Sequence, residues 1–174
     1  NYNYATGGGC CNSRLSSVTD QTTTTTIASA LTYNAAGGTL SRTLGNGVVE
    51  SFGYNTRLQE TTITAALSST TLMDFTYNYG TSTTNTGRVL SRTDAIQQEH
   101  SAEYLYDSIY RLGQVVSTDD SWGISWSFDT WGNRLTQTPA GLATSKVGSQ
   151  TNAYSNNRLT AITNLTYDNA GNLT

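Results

Sequence analysis

What is scarce in this chain excludes more than what is plentiful. Its 174 residues include one histidine, one proline and two cysteines, and charged side chains make up only 12%. The single histidine, His100, has Glu99 and Glu103 near it in sequence, as an oriented general base would require. No Gly-x-Ser-x-Gly elbow supplies a nucleophile, and the segment Gln97-Gln98-Glu99-His100-Ser101 reads as a solvated polar strand. The cysteines are neighbours, Cys10 and Cys11. A bond between them would close a strained ring, so the pair stays reduced or forms an intermolecular disulfide outside the cell. No second cysteine pair completes a zinc site. Asp119-Asp120-Ser121 offers too few oxygens for calcium and reads as a turn. Gly7-Gly8-Gly9 lacks the Lys-Ser/Thr of a phosphate loop. A net charge of -3 gives no footprint for nucleic acid, and no apolar run approaches a membrane span. No catalysis, cofactor or metal is therefore expected. The chain opens on Asn1, with neither Met nor signal peptide, and reads as a processed or excised piece.

The polar positions are filled by Thr, Ser, Asn and Gly in place of Lys and Glu, which points to Thr-rich strands joined by Gly and Asn turns. Eleven Tyr and three Trp argue against disorder. Ile27, Ser29, Leu31 and Tyr33 alternate with Ala28, Ala30 and Thr32, which is strand periodicity. Ile124, Trp126 and Phe128 alternate with Ser125, Ser127 and Asp129 in the same way. Leu40–Leu44, Gly45-Asn46-Gly47 and Val48–Tyr54 form the clearest hairpin, with Asn46-Gly47 expected to supply two residues at positive φ. Pro139 falls where a strand end or turn would tolerate it, and 141–155 reads as a longer connection. Apolar residues nowhere keep helical spacing for three turns.

Beneath these local signals lies a repeat: an aromatic, an Asp or Asn, turn formers, then Arg or Asn and Leu. It runs through Tyr106-Asp107 to Arg111-Leu112 and through Phe128-Asp129 to Gly132-Asn133-Arg134-Leu135. Tyr33-Asn34 leads to Leu40, Tyr54-Asn55 to Arg57-Leu58, and Tyr77-Asn78 to Gly87-Arg88-Val89. Tyr154 leads to Arg158-Leu159, and Tyr167-Asp168 leads to Gly171-Asn172-Leu173. A degenerate copy runs from Tyr4 to Arg14-Leu15. An aromatic heading each unit offers roughly 150–250 Å² of burial to the next. The Asp or Asn accepts turn N–H groups, Gly supplies the turn conformation, and Arg pairs with that Asp or stacks on a ring.

This series resembles the YD-repeat (Rhs-repeat) family, whose pattern is Tyr-Asp-x-x-Gly-Arg-Leu, and the resemblance covers nearly the whole chain. It implies β-hairpins wound into a long spiral sheet, which in relatives forms a hollow shell around a toxin or part of a cell-surface adhesion protein. Relatives that carry toxins end the shell with a self-cleaving Asp-Pro-x-Gly-Leu segment. Pro139-Ala140-Gly141-Leu142 echoes it, but Thr138 stands in place of the Asp, so no self-cleavage is carried over.

The expectation is thus an all-β array of stacked hairpins over 1–174, a non-catalytic extracellular or cell-surface scaffold. It would serve as shell wall or as a unit of a head-to-tail filament, meeting other copies or flanking repeats through edge strands. The alternative is a carbohydrate-binding adhesin using Trp122, Trp126 and Trp131, although packing accounts better for Trp126, which is in phase with Ile124 and Phe128.

Overall fold

A computed structural model describes residues 1–4, 14–160, 165–170 and 172–173. Cys10, Cys11 and Gly171 lie outside the described residues, as do Gly7, Gly8 and Gly9. The chain divides into two compact units, Asn1–His100 and Ser101–Thr174.

The first unit is a meander of eight antiparallel strands, each paired with its sequence neighbour. These are β1 (Tyr2–Tyr4), β2 (Leu15–Thr19), β3 (Thr26–Tyr33), β4 (Thr39–Leu44), β5 (Val48–Tyr54), β6 (Glu60–Leu67), β7 (Thr70–Asn78) and β8 (Ser91–Asp94). The second repeats the scheme with β9 (Ala102–Tyr106), β10 (Leu112–Ser117), β11 (Trp122–Phe128), β12 (Arg134–Gly141) and β13 (Gln150–Thr151). A short hairpin follows, β14 (Tyr154–Ser155) with β15 (Arg158–Leu159). Helical structure among the described residues is confined to 3-10 turns at Gln98–His100 and Leu142–Ser145.

Very little is buried. The buried apolar side chains among the described residues are Val48, Ala65, Ala102, Pro139 and Ala143. Five small side chains cannot drive folding at about 25 cal/mol per Å² of apolar burial, so other interactions must supply the stability. Much comes from the ladders and from cross-strand pairs on wet faces. Thr32 and Ser41 share a 2.6 Å hydroxyl contact, Ser127 and Thr136 repeat it at 2.6 Å, and Arg42 meets Glu50 directly opposite. The low charge content and abundant Thr thus suit a sheet whose faces stay hydrated.

Four local expectations need correction. The segment 97–101, expected as a polar strand, instead holds the 3-10 turn Gln98–His100. The alternation of β3 breaks at Ala30, whose φ of 52° marks a bulge with a register shift between Ser29 and Thr32. The extra residue changes the parity, and Ile27 ends 55% exposed while Leu31 and Tyr33 are half-buried. In the β4–β5 turn, Gly47 carries the positive φ of 85°, and Asn46 contributes its side chain, Oδ1 accepting the Val48 N–H at 3.1 Å. Pro139 lies inside β12, opposite Ile124. It fits because β13 pairs only with Thr136 and Gln137, leaving the outer edge of β12 beyond them free of ladder bonds from that strand.

Candidate functional site

The repeated chemistry is concentrated in the turns. Five segments share one frame, beginning at Asn34, Asn55, Asp107, Asp129 and Asp168. In each, the first residue donates its N–H to the carbonyl of the fifth, at 2.9–3.0 Å: Gly38, Gln59, Arg111, Asn133 and Asn172. The fifth residue returns its own N–H to the Asx Oδ1, at 2.8–3.1 Å. This is why these five turns carry Asp or Asn at the second position of the motif, where the Tyr154 copy has Ser155: one side-chain oxygen substitutes for a backbone acceptor and closes the loop. The fourth position needs positive φ, supplied by Gly37 (99°) and Gly132 (92°) but also by Leu58 (62°) and Tyr110 (73°).

The frame shifts the expected alignment. Leu58 occupies the glycine position, 58% exposed, so it is not the strand leucine of its repeat. Arg111 is the fifth residue of its turn, whereas Arg134 is the sixth of the turn begun at Asp129, and the two arginines act differently. Arg111 donates Nε to Asp107 Oδ2 at 2.6 Å. Arg134 donates to Gln137 Oε1 at 3.1 Å and Gln150 Oε1 at 2.7 Å. Gln137 is buried, accepts the Trp126 indole N–H at 3.0 Å and donates Nε2 to the Gly148 carbonyl at 3.1 Å, so Gln137 and Arg134 together tie the 146–151 connection to the sheet.

Several turns are also joined to a neighbouring repeat, some forward and some backward. Going forward, Arg14 lies over the Tyr33 ring (5.5 Å to the centroid) and donates to the Asn34 carbonyl at 2.6 Å. Arg111 lies over Phe128 (4.8 Å) and donates to the Asp129 carbonyl at 2.7 Å. Arg158 lies over Tyr167 (5.7 Å) and donates to the Asp168 carbonyl at 3.1 Å. The guanidinium plane suits this pairing, stacking on a ring while its edge serves an oxygen. Shorter side chains make variants: Gln59 exchanges amide bonds with Asn85 at 2.6 and 3.3 Å, and Asn133 reaches Asn157 at 3.0 Å.

Going backward, the tyrosine hydroxyl donates to a carbonyl of the preceding repeat. Tyr33 reaches Leu15 (2.8 Å), Tyr54 reaches Thr39 (2.9 Å), Tyr154 reaches Arg134 (3.3 Å) and Tyr167 reaches Leu159 (3.4 Å). The fifth member is Tyr79, bonded to the Glu60 carbonyl at 3.0 Å. Tyr77 instead meets Phe75 edge-on at 6.4 Å. Sequence interval does not flag Tyr79, because the backward reach varies from 8 residues for Tyr167 to 20 for Tyr154. Burial, then the nearby Glu60 carboxylate, pushes the Tyr54 and Tyr79 phenols up, keeping them protonated donors.

Asp107 and Asp129 of the frame are held ionised. Asp107 is lowered below the usual carboxylate value, first by the Arg111 backbone N–H. Asp129 is lowered first by the Asn133 amide. Asp119, in the β10–β11 turn, falls to about 2 through hydrogen bonds from Ser117 and Ser121. Among the described residues no group of three or more His, Cys, Asp or Glu is placed to hold a metal ion.

Of the remaining sequence candidates, Tyr106 ends β9, and Leu112, Leu135 and Leu159 are half-buried strand residues. Leu173 is exposed and bridges Tyr167. Trp122 begins β11, its N–H bonded to Ser117 Oγ at 3.1 Å, while Trp131 is 78% exposed at a turn tip. Trp126 is tied to Gln137, whereas Trp122 and Trp131 line different open clefts. His100 faces Asp94 (Nδ1 to Oδ2, 3.7 Å), a carboxylate farther away along the chain than Glu99 and Glu103, so proximity in sequence does not flag it.

No protein-family model matches the chain, and no curated protein matches it. Solved structures do. A crystal structure of TcdB2–TccC3 matches at 20% identity and a TM-score of 0.71, over 93% of this chain and 11% of that one. A Photorhabdus luminescens Tc holotoxin pore with a mutated TccC3 matches at 19% identity and a TM-score of 0.71, over 92% of this chain and 10% of that one. The TcdB2–TccC3–Cdc42 crystal structure matches at 20% identity and a TM-score of 0.70, over 93% of this chain and 10% of that one. The chain therefore spans about a tenth of the matched chains. At this identity the likeness shows the fold, a sheet of the YD-repeat kind.

Proposed function

We propose that this chain is a non-catalytic structural scaffold, a section of sheet wall that extends by adding like repeats. The observation that carries the reading is the two-way tie between turns. Aromatic rings, Arg guanidinium groups and Asx carbonyls, which an active site would turn toward a substrate, are committed to the next turn. A chain with so small a buried core gains stability from neighbours, as repeat arrays do. In this reading further repeats or other copies of the chain pair with the outer strands, and the wall forms part of a shell or of a head-to-tail surface filament. Low charge with abundant Thr and Tyr supports a place outside the cell. The toxin-complex assemblies named for the structural neighbours are in keeping with wall material.

Negative-stain electron microscopy of the full-length protein tests this. Hollow particles or fibres are expected. Compact globules that turn over a substrate, with loss of activity in His100→Ala, would overturn it.

A further inference from the structure

Among the described residues, four asparagines curl the side chain back over the following peptide, Oδ1 accepting the N–H two residues on. Asn46 accepts from Val48 at 3.1 Å, Asn55 from Arg57 at 2.9 Å, Asn78 from Gly80 at 2.8 Å and Asn85 from Gly87 at 2.9 Å. The curl carries the carboxamide carbon toward the backbone nitrogen between the two residues, the approach that closes a five-membered imide. What separates the four is the residue that owns that nitrogen. It is Thr56, Tyr79 and Thr86 in three cases, each with a side chain crowding the attack, and Gly47 after Asn46. No other asparagine in the chain precedes glycine. Asn46 and Gly47 are both exposed in the β4–β5 turn, open to water and hydroxide.

We propose that Asn46–Gly47 is a self-modification site, at which the asparagine converts to aspartate and isoaspartate without an enzyme. The Gly47 nitrogen loses its proton to hydroxide and bonds to Asn46 Cγ. The Val48 N–H already on Oδ1 stabilises the negative charge that gathers there. The Cγ–Nδ2 bond then breaks, Nδ2 takes a proton from water, and ammonia leaves. Water next opens the imide at either carbonyl. Breaking the bond from nitrogen to Cγ gives aspartate. Breaking the bond from nitrogen to the Asn46 main-chain carbonyl carbon gives isoaspartate, with the chain now running through the side chain. The Gly47 N–H is donated to the Leu44 carbonyl at 2.9 Å, so the turn must open before it reacts, and local opening sets the rate.

The two products differ in what they do to the sheet. Aspartate keeps an oxygen for the Val48 N–H. Isoaspartate adds a backbone atom between two fixed points. One is Gly45, whose N–H is bonded to the Ile27 carbonyl at 2.8 Å. The other is Val48, buried and paired with Leu67. The turn has little slack: a Cβ on Gly45 would run into the Thr26 carbonyl, and one on Gly47 would touch Leu67 at 3.4 Å. Loss of ammonia makes the step one-way, so the site is a timer that loosens the β4–β5 hairpin. It does not depend on the scaffold reading.

The test keeps the purified protein in mildly alkaline and in mildly acidic buffer and maps each asparagine by mass spectrometry, with isoaspartyl methyltransferase labelling to count isoaspartate. Conversion at Asn46 is expected to run roughly tenfold or more faster than at Asn55, Asn78 or Asn85. It should rise with hydroxide and be absent from Asn46→Gln, whose longer side chain would have to close a six-membered ring. The aged protein should melt below the fresh one, whereas Asn46→Asp, which keeps the acceptor, should melt with the parent. Conversion no faster than at the other three asparagines overturns the site. So does an inert Asn46 in the folded protein when the excised peptide converts. An aged protein that carries isoaspartate and still melts with the fresh one overturns the timer.

Discussion

The turns at Asn55–Gln59 and Asp107–Arg111 perform one task with different chemistry. Their backbones coincide bond for bond. The first residue donates to the fifth carbonyl at 3.0 and 2.9 Å. Oδ1 accepts from the third residue at 2.9 and 3.0 Å and from the fifth at 3.1 and 2.9 Å. The fourth residue in both is a non-glycine at positive φ. Only the side-chain pair differs: Asn55 donates to Gln59 at 2.8 Å, whereas Asp107 accepts from Arg111 at 2.6 Å. The frame therefore selects an oxygen acceptor, not a charge. Ionisation adds a pH-sensitive layer to some turns and not to others, and the guanidinium, unlike the amide, can also lie on the next unit's ring.

Removing the acceptor should break the comparison most severely. Asp107→Ala strands two turn N–H groups and the Arg111 Nε, and should lower the urea midpoint more than any other single substitution in either turn. Asp107→Asn should recover most of that drop, because Asn55 already serves in the same frame. Equal losses from the two would show that charge matters more than acceptor geometry. Losing a single backward bond is milder: Tyr54→Phe should cost about 1 kcal/mol in equilibrium unfolding.

Acid should separate the two kinds of turn. Asp107, Asp129 and Asp119 are all lowered on folding from a reference of 3.8, Asp119 to about 2. A lowered carboxylate contributes stability that is complete above its unfolded pKa and lost as pH falls through the folded one. Stability should therefore decline from about pH 4 toward pH 2, and Asp107→Asn should flatten part of that decline in Tm measured against pH. The smallest effect expected is a gain. Leu58→Gly relieves a left-handed leucine and should stabilise by roughly 0.5 kcal/mol, after the entropy cost of glycine is subtracted.

Much of this was legible in the sequence. The pairing of Tyr with Asp or Asn, or of Phe128 with Asp129, marked every frame turn, and strand periodicity placed β11 and the β4–β5 hairpin. What hid was register. Leu58 and Tyr110 stand where the motif has glycine, and a left-handed non-glycine leaves no mark in composition. The Asp129 turn carries Asn133 ahead of Arg134, so counting to the nearest arginine misassigned its role. Tyr79 was obscured by Tyr77 two residues earlier, and only the hydroxyl bond to the Glu60 carbonyl tells them apart. The forward tie from Arg111 joins residues 18 apart, which no local pattern displays.

The central claim is that neighbouring turns stabilise one another through the forward arginine. A double-mutant cycle of Arg111→Ala with Phe128→Leu, read by urea denaturation, tests it most directly. A coupling energy of about 1 kcal/mol is predicted between the guanidinium and the ring it covers. Losses that simply add, to within about 0.3 kcal/mol, would contradict the account.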